Sequence, residues 1–260
     1  RGRDKRVVQM KKIAIIPARY ASSRFPAKPL ALLKGKPMVM WVYDAVKQSE
    51  LFDKVIIATD DQRIESCVKT YGADVAMTSS ELSCGTQRCE AVLSMLEAQG
   101  EKYDLVVNVQ GDEPLIERGQ LSALLELFED EKCQIATLAK KIERIEELQS
   151  PNCVKLVKSD KKAIYFSRSI IPFQRGVSEE DYLKSHTYYK HIGLYGYRAD
   201  VLHSIVKLQP TPLEKAESLE QLRWLENGIE ISVAETQFES MGVDTPEDLK
   251  RINEILDNKL

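Results

Sequence analysis

With 260 residues, 43% of them apolar, the chain is long enough to bury a substantial core, as one α/β domain or one domain with a small lobe. Its formal charge of −3 argues against nucleic acid as the main partner, since that role usually leaves a basic footprint. No apolar run approaches the ~18 residues of a membrane span, and five cysteines (Cys67, Cys84, Cys89, Cys133 and Cys153) without a CxxC pair fit a reducing cytosol better than disulfides or a structural zinc.

Residues 1–9 are charged and patternless, and read as a disordered extension or expression remnant with Met10 as the natural start. The first strand signal is the β-branched run Ile13–Ile16. It is expected to stop at Pro17 and open into a loop carrying Arg19, Arg24 and Lys28 beside Ser22 and Ser23. Cations and backbone N–H groups after a strand suit a nucleoside triphosphate, although three scattered cations alone also fit a solvated basic loop. Helical periodicity then covers 38–49, 61–71, 86–99 and 118–131, alternating with strands at 54–58, 74–77 and 104–109. Such alternation predicts a mostly parallel sheet with helices on both faces, and ligands bind beyond the carboxyl ends of its strands. Three stretches follow strands directly: 17–28, 59–61 and 110–114.

From about 134 to 200 the texture changes. Short strands at 135–139, 153–158, 162–166 and 191–197 surround a polar, aromatic stretch from Phe173 to Tyr189. This predicts an antiparallel extension serving as lid, second wall or dimer surface. Helices at 199–208 and 214–227, a strand at 230–234 and a last helix from about 245 complete the pattern. Thr245, Pro246, Glu247 and Asp248 form a strong helix start, with Thr245 as the cap. No linker or internal repeat divides the chain.

Asp112, in Gln110-Gly-Asp-Glu-Pro114, is well placed to hold a hard divalent cation against phosphates, the alternative being a plain turn. Asp244 offers a second carboxylate, or else acts only on the helix terminus it precedes. The motifs GxxxxGK[ST], GxGxxG, GxSxG and HExxH are all absent. His191 by default is a hydrogen-bonded sheet histidine.

Taken together, several segments resemble the 3-deoxy-manno-octulosonate (KDO) cytidylyltransferase family: Ile15-Ile-Pro-Ala-Arg-Tyr-Ala-Ser-Ser-Arg-Phe-Pro-Ala-Lys-Pro-Leu30, Cys84-Gly-Thr-Gln-Arg88, Val107-Asn-Val-Gln-Gly-Asp-Glu-Pro114, His191-Ile-Gly-Leu-Tyr-Gly-Tyr-Arg198 and Gly242-Val-Asp-Thr-Pro-Glu-Asp-Leu249. The resemblance runs from about residue 11 to 255. It implies a Rossmann-like three-layer α/β/α nucleotidyltransferase, a single domain over 10–260 whose 134–200 region holds the sugar-binding and dimerisation extension. It implies a cytoplasmic homodimer that joins KDO to CTP with Mg²⁺, yielding CMP-KDO and diphosphate for lipopolysaccharide synthesis. Arg19, Lys28, Asp112 and Asp244 would be catalytic, with Asp112 and Asp244 as the metal carboxylates. Ala18, Arg19, Ser22, Ser23, Arg24, Lys28, Thr59, Asp60, Gly85, Thr86 and Arg88 would bind CTP. Gln110, Arg168, His191, Tyr195, Glu214 and Gln221 would line the KDO pocket, with Arg168, and His191 if protonated, answering the sugar's carboxylate. Two departures, Cys84 for Ser and Gln87 for Glu, fall near the base pocket. An amino-sugar analogue (8-amino-KDO), a sialic-type acid or a catalytically inactive nucleotide binder are the competing readings.

Overall fold

The computed structural model describes residues 10–21 and 25–259; segment 1–9 and the loop residues Ser22, Ser23 and Arg24 lie outside the described residues. The first half runs β1 (Lys12–Ala18), a tiny hairpin of β2 (Leu32–Leu33) and β3 (Lys36–Pro37), α1 (Met38–Gln48), β4 (Lys54–Thr59), α2 (Gln62–Thr70), β5 (Val75–Met77), α3 (Gly85–Ala98), β6 (Leu105–Asn108) and α4 (Arg118–Glu126). The second half runs β7 (Ile135–Lys141), α5 (Ile145–Gln149), β8 (Lys155–Ser159), β9 (Lys162–Ser167), α6 (Tyr182–Ser185), β10 (Tyr189–Arg198), α7 (Ala199–Ile205), α8 (Pro212–Glu217), α9 (Gln221–Glu226), β11 (Ile231–Glu235) and α10 (Pro246–Lys259).

Nine strands form one sheet in the order β5-β4-β1-β6-β10-β7-β11-β9-β8. The first four are parallel, whereas β10 lies antiparallel between β6 and β7. The antiparallel extension is thus continuous with the parallel sheet. Period-2 alternation decides the layers: along β1, Ala14, Ile16 and Ala18 face a core with Val39, Val42, Ile64 and Leu124, while Ile13 and Ile15 face Val92, Leu93, Leu202 and Leu222. Each large aliphatic side chain buried in these layers contributes roughly 1.5–3 kcal/mol.

Two departures from the sequence reading have local causes. Strand β1 does not stop at Pro17 but continues to Ala18 alongside β4. Its ladder with β6 ends at Ile15↔Asn108, with Val109 N donating to Ile15 O, so the N–H that proline lacks falls where no ladder partner remains. The helix expected at 214–227 is two helices, α8 and α9, because Ser218 adopts a left-handed conformation (φ 52°) between them. The polar stretch 173–188 lies between strands, as expected, and has no strand of its own. It carries a 3-10 turn and α6, and buries Tyr182 and Tyr188 stacked 5.9 Å apart beside Ile142 and Leu148.

The last helix caps as its sequence predicts. Asp248 N donates to Thr245 Oγ1 at 3.2 Å, while Asp248 Oδ2 accepts from the backbone of Thr245 (2.9 Å) and Asp244 (3.0 Å). Ile252 and Leu256 then dock α10 on Leu33 and Met38, carrying the fully buried Val243, and with it Asp244, to the sheet.

Candidate active site

The site forms where β1, β4 and β6 end. After β1 the chain closes a loop with Ala27 N donating to Tyr20 O (3.0 Å), and Ala27 takes a left-handed φ of 58° that starts the turn Lys28–Leu30. Lys28, its side chain 14% exposed, lies with Nζ 2.6 Å from Asp112 Oδ2 and 3.3 Å from Asp244 Oδ1. Asp112 reaches this point because Gly111 packs on the end of β1, where a Cβ would sit 2.7 Å from the Pro17 carbonyl. Asp244 reaches it because Val243 N donates to Asp112 O at 2.9 Å. Residues separated by 216 positions, Lys28 and Asp244, therefore meet at one ammonium.

Two carboxylates facing one ammonium leave a formal charge of −1, and their donors are hard oxygens. Among the described residues no group of three or more His, Cys, Asp or Glu side chains is arranged to hold a metal. A pair of carboxylates with room for phosphate oxygens fits Mg²⁺, which is bound through one or two carboxylates plus substrate rather than a full protein cage.

Toward β4 and α3, the sequence-predicted base contacts are gathered around one buried cation. Arg88 is fully buried; Nη2 pairs with Asp60 Oδ2 (3.1 Å) and Nη1 donates to Thr78 Oγ1. Thr59, also fully buried, accepts from Thr78 N at 2.8 Å through its carbonyl. Arg88 therefore braces the loop after β5 from behind. Gly85 starts α3 tight against β6, where a Cβ would lie 3.1 Å from Asn108 Nδ2. Arg19, exposed, crosses to this loop through Nη1 to Ser83 O (3.2 Å). Of the two departures, Gln87 Oε1 accepts from the backbone and hydroxyl of Ser83 (2.9 and 3.0 Å), a role that needs no charge. Cys84 donates to Glu220 Oε1 at 3.3 Å; its thiol is pushed up to about 11 by burial and then by the charge of Glu220.

Glu220 was not anticipated. Its other oxygen accepts from Thr86 Oγ1 at 2.9 Å, joining α9 to the start of α3. A carboxylate just before a short helix offered no signal beyond its neighbour Gln221, which is buried at the start of α9.

On the side toward the second half lies a cavity of about 350 Å³, lined among others by Glu113, Asn152, His191, Gly193, Ser240 and Gly242. Glu113, next to Asp112, is pushed up to about 7 mainly by burial, which opposes its charged form. His191 Nε2 lies 2.9 Å from Thr137 Oγ1, and its ring stands edge-on to Phe166 at 5.1 Å. Burial pushes it down to about 3, so its imidazole is neutral and it does not supply the cation expected of it. Gln110 Nε2 donates to Gly193 O (3.3 Å) at the irregularity in β10. The Tyr195 ring packs edge-on against Trp224 and parallel to Tyr197.

Of the six residues expected in the sugar pocket only His191 lines this cavity, and two of the others, Arg168 and Glu214, are engaged elsewhere. Arg168 directs Nε, Nη1 and Nη2 at the carbonyls of Glu217 (2.7 Å), Pro151 (3.0 Å) and Ser218 (3.3 Å). Glu214 pairs with Arg223 and accepts from Thr211 N, closing the capping box of α8. Glu214 is thus matched in charge by Arg223, while the guanidinium donors of Arg168 are taken up by neutral carbonyls.

A sheet whose strand ends collect a lysine, two carboxylates and a braced base-side loop is that of a nucleotide-binding transferase. The sequence profile described as cytidylyltransferase matches residues 13–231. The chain is 54% identical to the 3-deoxy-manno-octulosonate cytidylyltransferase of Phocaeicola vulgatus, over 95% of this chain and 98% of that one. The enzyme of the same name from Bacteroides thetaiotaomicron is 52% identical, over 96% and 100%. The solved structure of CMP:2-keto-3-deoxy-manno-octonic acid synthetase complexed with CTP superposes with a TM-score of 0.87 at 37% identity, covering 96% of this chain and all of that one. A 4-diphosphocytidyl-2C-methyl-D-erythritol synthase from Anaerococcus prevotii, at 14% identity and a TM-score of 0.59, shares the fold. The chain belongs to the 3-deoxy-manno-octulosonate cytidylyltransferase family.

Proposed function

We propose that the chain activates KDO with CTP, giving CMP-KDO and diphosphate, in a Mg²⁺-dependent reaction. The observation that carries this reading is the meeting of Lys28, Asp112 and Asp244 beside the Glu113–His191 cavity. The anomeric hydroxyl of KDO attacks the α-phosphorus of CTP. A P–O bond forms, the bond to the β-phosphate oxygen breaks with its electron pair leaving on diphosphate, and the hydroxyl proton is released. Lys28 and Arg19 neutralise phosphate charge as it redistributes, and such preorganised cations cost no reorganisation during reaction. Asp112 and Asp244 would hold Mg²⁺, which when bound supplies charge neutralisation at the phosphates and acidifies a coordinated hydroxyl. Thr59, Asp60, Gly85, Thr86 and Arg88 shape the cytosine side. Gln110, Tyr195, Gln221 and the neutral His191 form the sugar side, where His191 acts as a hydrogen-bonding group rather than a cation.

No helix among the described residues is long and apolar enough to cross a membrane. All five cysteines are free thiols, which supports a reducing cytosol. We also propose a homodimer, which the family resemblance implies. The reaction is tested by diphosphate release from CTP and Mg²⁺ with KDO, 8-amino-KDO and a sialic acid in parallel. Release with KDO is expected. Preference for the amino sugar would move the substrate assignment, and CTP binding without release would indicate an inactive binder.

A further inference from the structure

Asp244 is delivered by a strap without regular secondary structure, residues 236–245, between β11 and α10. Its ends are fixed by backbone bonds of 2.9 Å, Thr236 N to Ala139 O and Val243 N to Asp112 O. Phe238 packs on Gly119 of α4 and Met241 on the cluster of Leu33 and Ile252, whereas the residues beside them border open space. Cavities of about 350 and 450 Å³ lie on its two sides, both lined by Glu239, Ser240 and Gly242. At Glu239, Ser240 and Gly242, which border both cavities, close packing, the usual source of rigidity, does not hold the strap.

What meets it instead is charge. Lys140 of β7 and Lys190 of β10 are register partners on neighbouring strands, with side chains only 12% and 10% exposed. Glu239 lies between them, with Oε1 2.5 Å from Lys190 Nζ and Oε2 3.2 Å from Lys140 Nζ. Lys190 also pairs with Glu147 of α5 at 2.8 Å, whereas no second ion pair reaches Lys140 among the described residues. One carboxylate thus ties the middle of the strap to two adjacent strands.

We propose that Glu239 is a positioning residue: held by Lys140 and Lys190, it sets the height of the strap and so the placement of Asp244 against Lys28 and Asp112. The link to catalysis rests on the reading of Asp112 and Asp244 as cation ligands. Neutralising Glu239 removes a partly exposed ion pair worth ~1 kcal/mol, or about a fivefold change in an equilibrium that depends on it.

The test is Glu239→Gln in the full chain, read by amide hydrogen exchange and by the Mg²⁺ concentration for half-maximal diphosphate release. Amides of 239–244 are expected to exchange about fivefold faster while those of β6 and α3 keep their rates, and the half-activating Mg²⁺ concentration is expected to rise by a similar factor. Lys140→Met should reproduce both effects, and Glu239→Asp should restore part of each. A purely structural role would lower the melting temperature without moving the metal requirement. Unchanged exchange over 239–244 overturns the clamp, whatever the turnover. Faster exchange with an unchanged metal requirement overturns the link from strap to Asp244. Failure of the metal reading itself shows separately, as turnover surviving the loss of Asp112.

Discussion

The two halves of the sheet build their share of the site by different means. In the parallel half, β5-β4-β1-β6, functional groups stand in the loops that follow strands: Lys28 after β1, Asp60 after β4, Asp112 after β6. In the half beyond β6, the candidates His191 and Tyr195 stand within strand β10, Asp244 alone comes from a loop, the strap after β11, and Arg168 and Glu214 are braces. Parallel strands all end at one edge, so their loops converge by construction. An antiparallel strand has no such common edge. Its site residues are selected by face and register instead, and the irregularity between Ile192 and Tyr195 is what lets Gln110 reach Gly193 O.

This contrast can be broken at its strongest point first. Asp112→Ala or Asp244→Ala is expected to lower kcat by at least ~10²-fold while the protein stays folded, measured by diphosphate release alongside circular dichroism. Near-normal turnover in either variant would remove that residue from the reaction. Lys28→Ala should weaken CTP by roughly 1.5–3 kcal/mol, the worth of a charged hydrogen bond. Calorimetry giving an unchanged affinity would detach Lys28 from the phosphates.

The second half should answer differently. Arg168→Lys is expected to cost ~1–3 kcal/mol in denaturant unfolding, because a lysine cannot address the carbonyls of Pro151, Glu217 and Ser218 together. If stability holds and only the KM for KDO rises, Arg168 belongs to the sugar after all. The smallest effect concerns pH. His191 is neutral when folded but gains a proton below about 6.5 when unfolded, so the unfolded state binds more protons and stability falls as pH drops from ~6.5 toward 3. Glu113 works in the opposite direction: its raised value favours the folded state below about 7, an advantage lost as pH rises from ~4.5 to 7. His191→Gln should therefore be less acid-sensitive than the parent between pH 6.5 and 5, by up to roughly 1 kcal/mol per pH unit. Parallel stability curves for the two proteins would show that His191 titrates normally.

The same contrast explains how much could be read beforehand. Strand and helix alternation carried the parallel half to within a residue or two, and the strand-end rule pointed at Lys28, Asp60 and Asp112. Nothing in a linear pattern tells whether a guanidinium meets a ligand or three carbonyls, so Arg168 looked like a sugar contact. Glu214 looked the same, although the Thr-Pro-Leu-Glu start of α8 is a capping pattern that could have flagged it. The break at Ser218 was invisible because a serine, not a glycine, takes the left-handed conformation. Glu220 and Glu239 act through partners distant in sequence, which only the folded chain reveals.

Asp244 is also the last of the site's groups to be synthesised. A ribosome extending this chain completes the nucleotide-side loops, with Lys28, Arg88 and Asp112, well over a hundred residues before Asp244 emerges. A nascent chain lacking the strap and α10 would carry Lys28 and Asp112 without the second carboxylate, and would leave Leu33 and Met38 uncovered. A reaction that needs both carboxylates would thereby wait until the strap over 236–245 has been made.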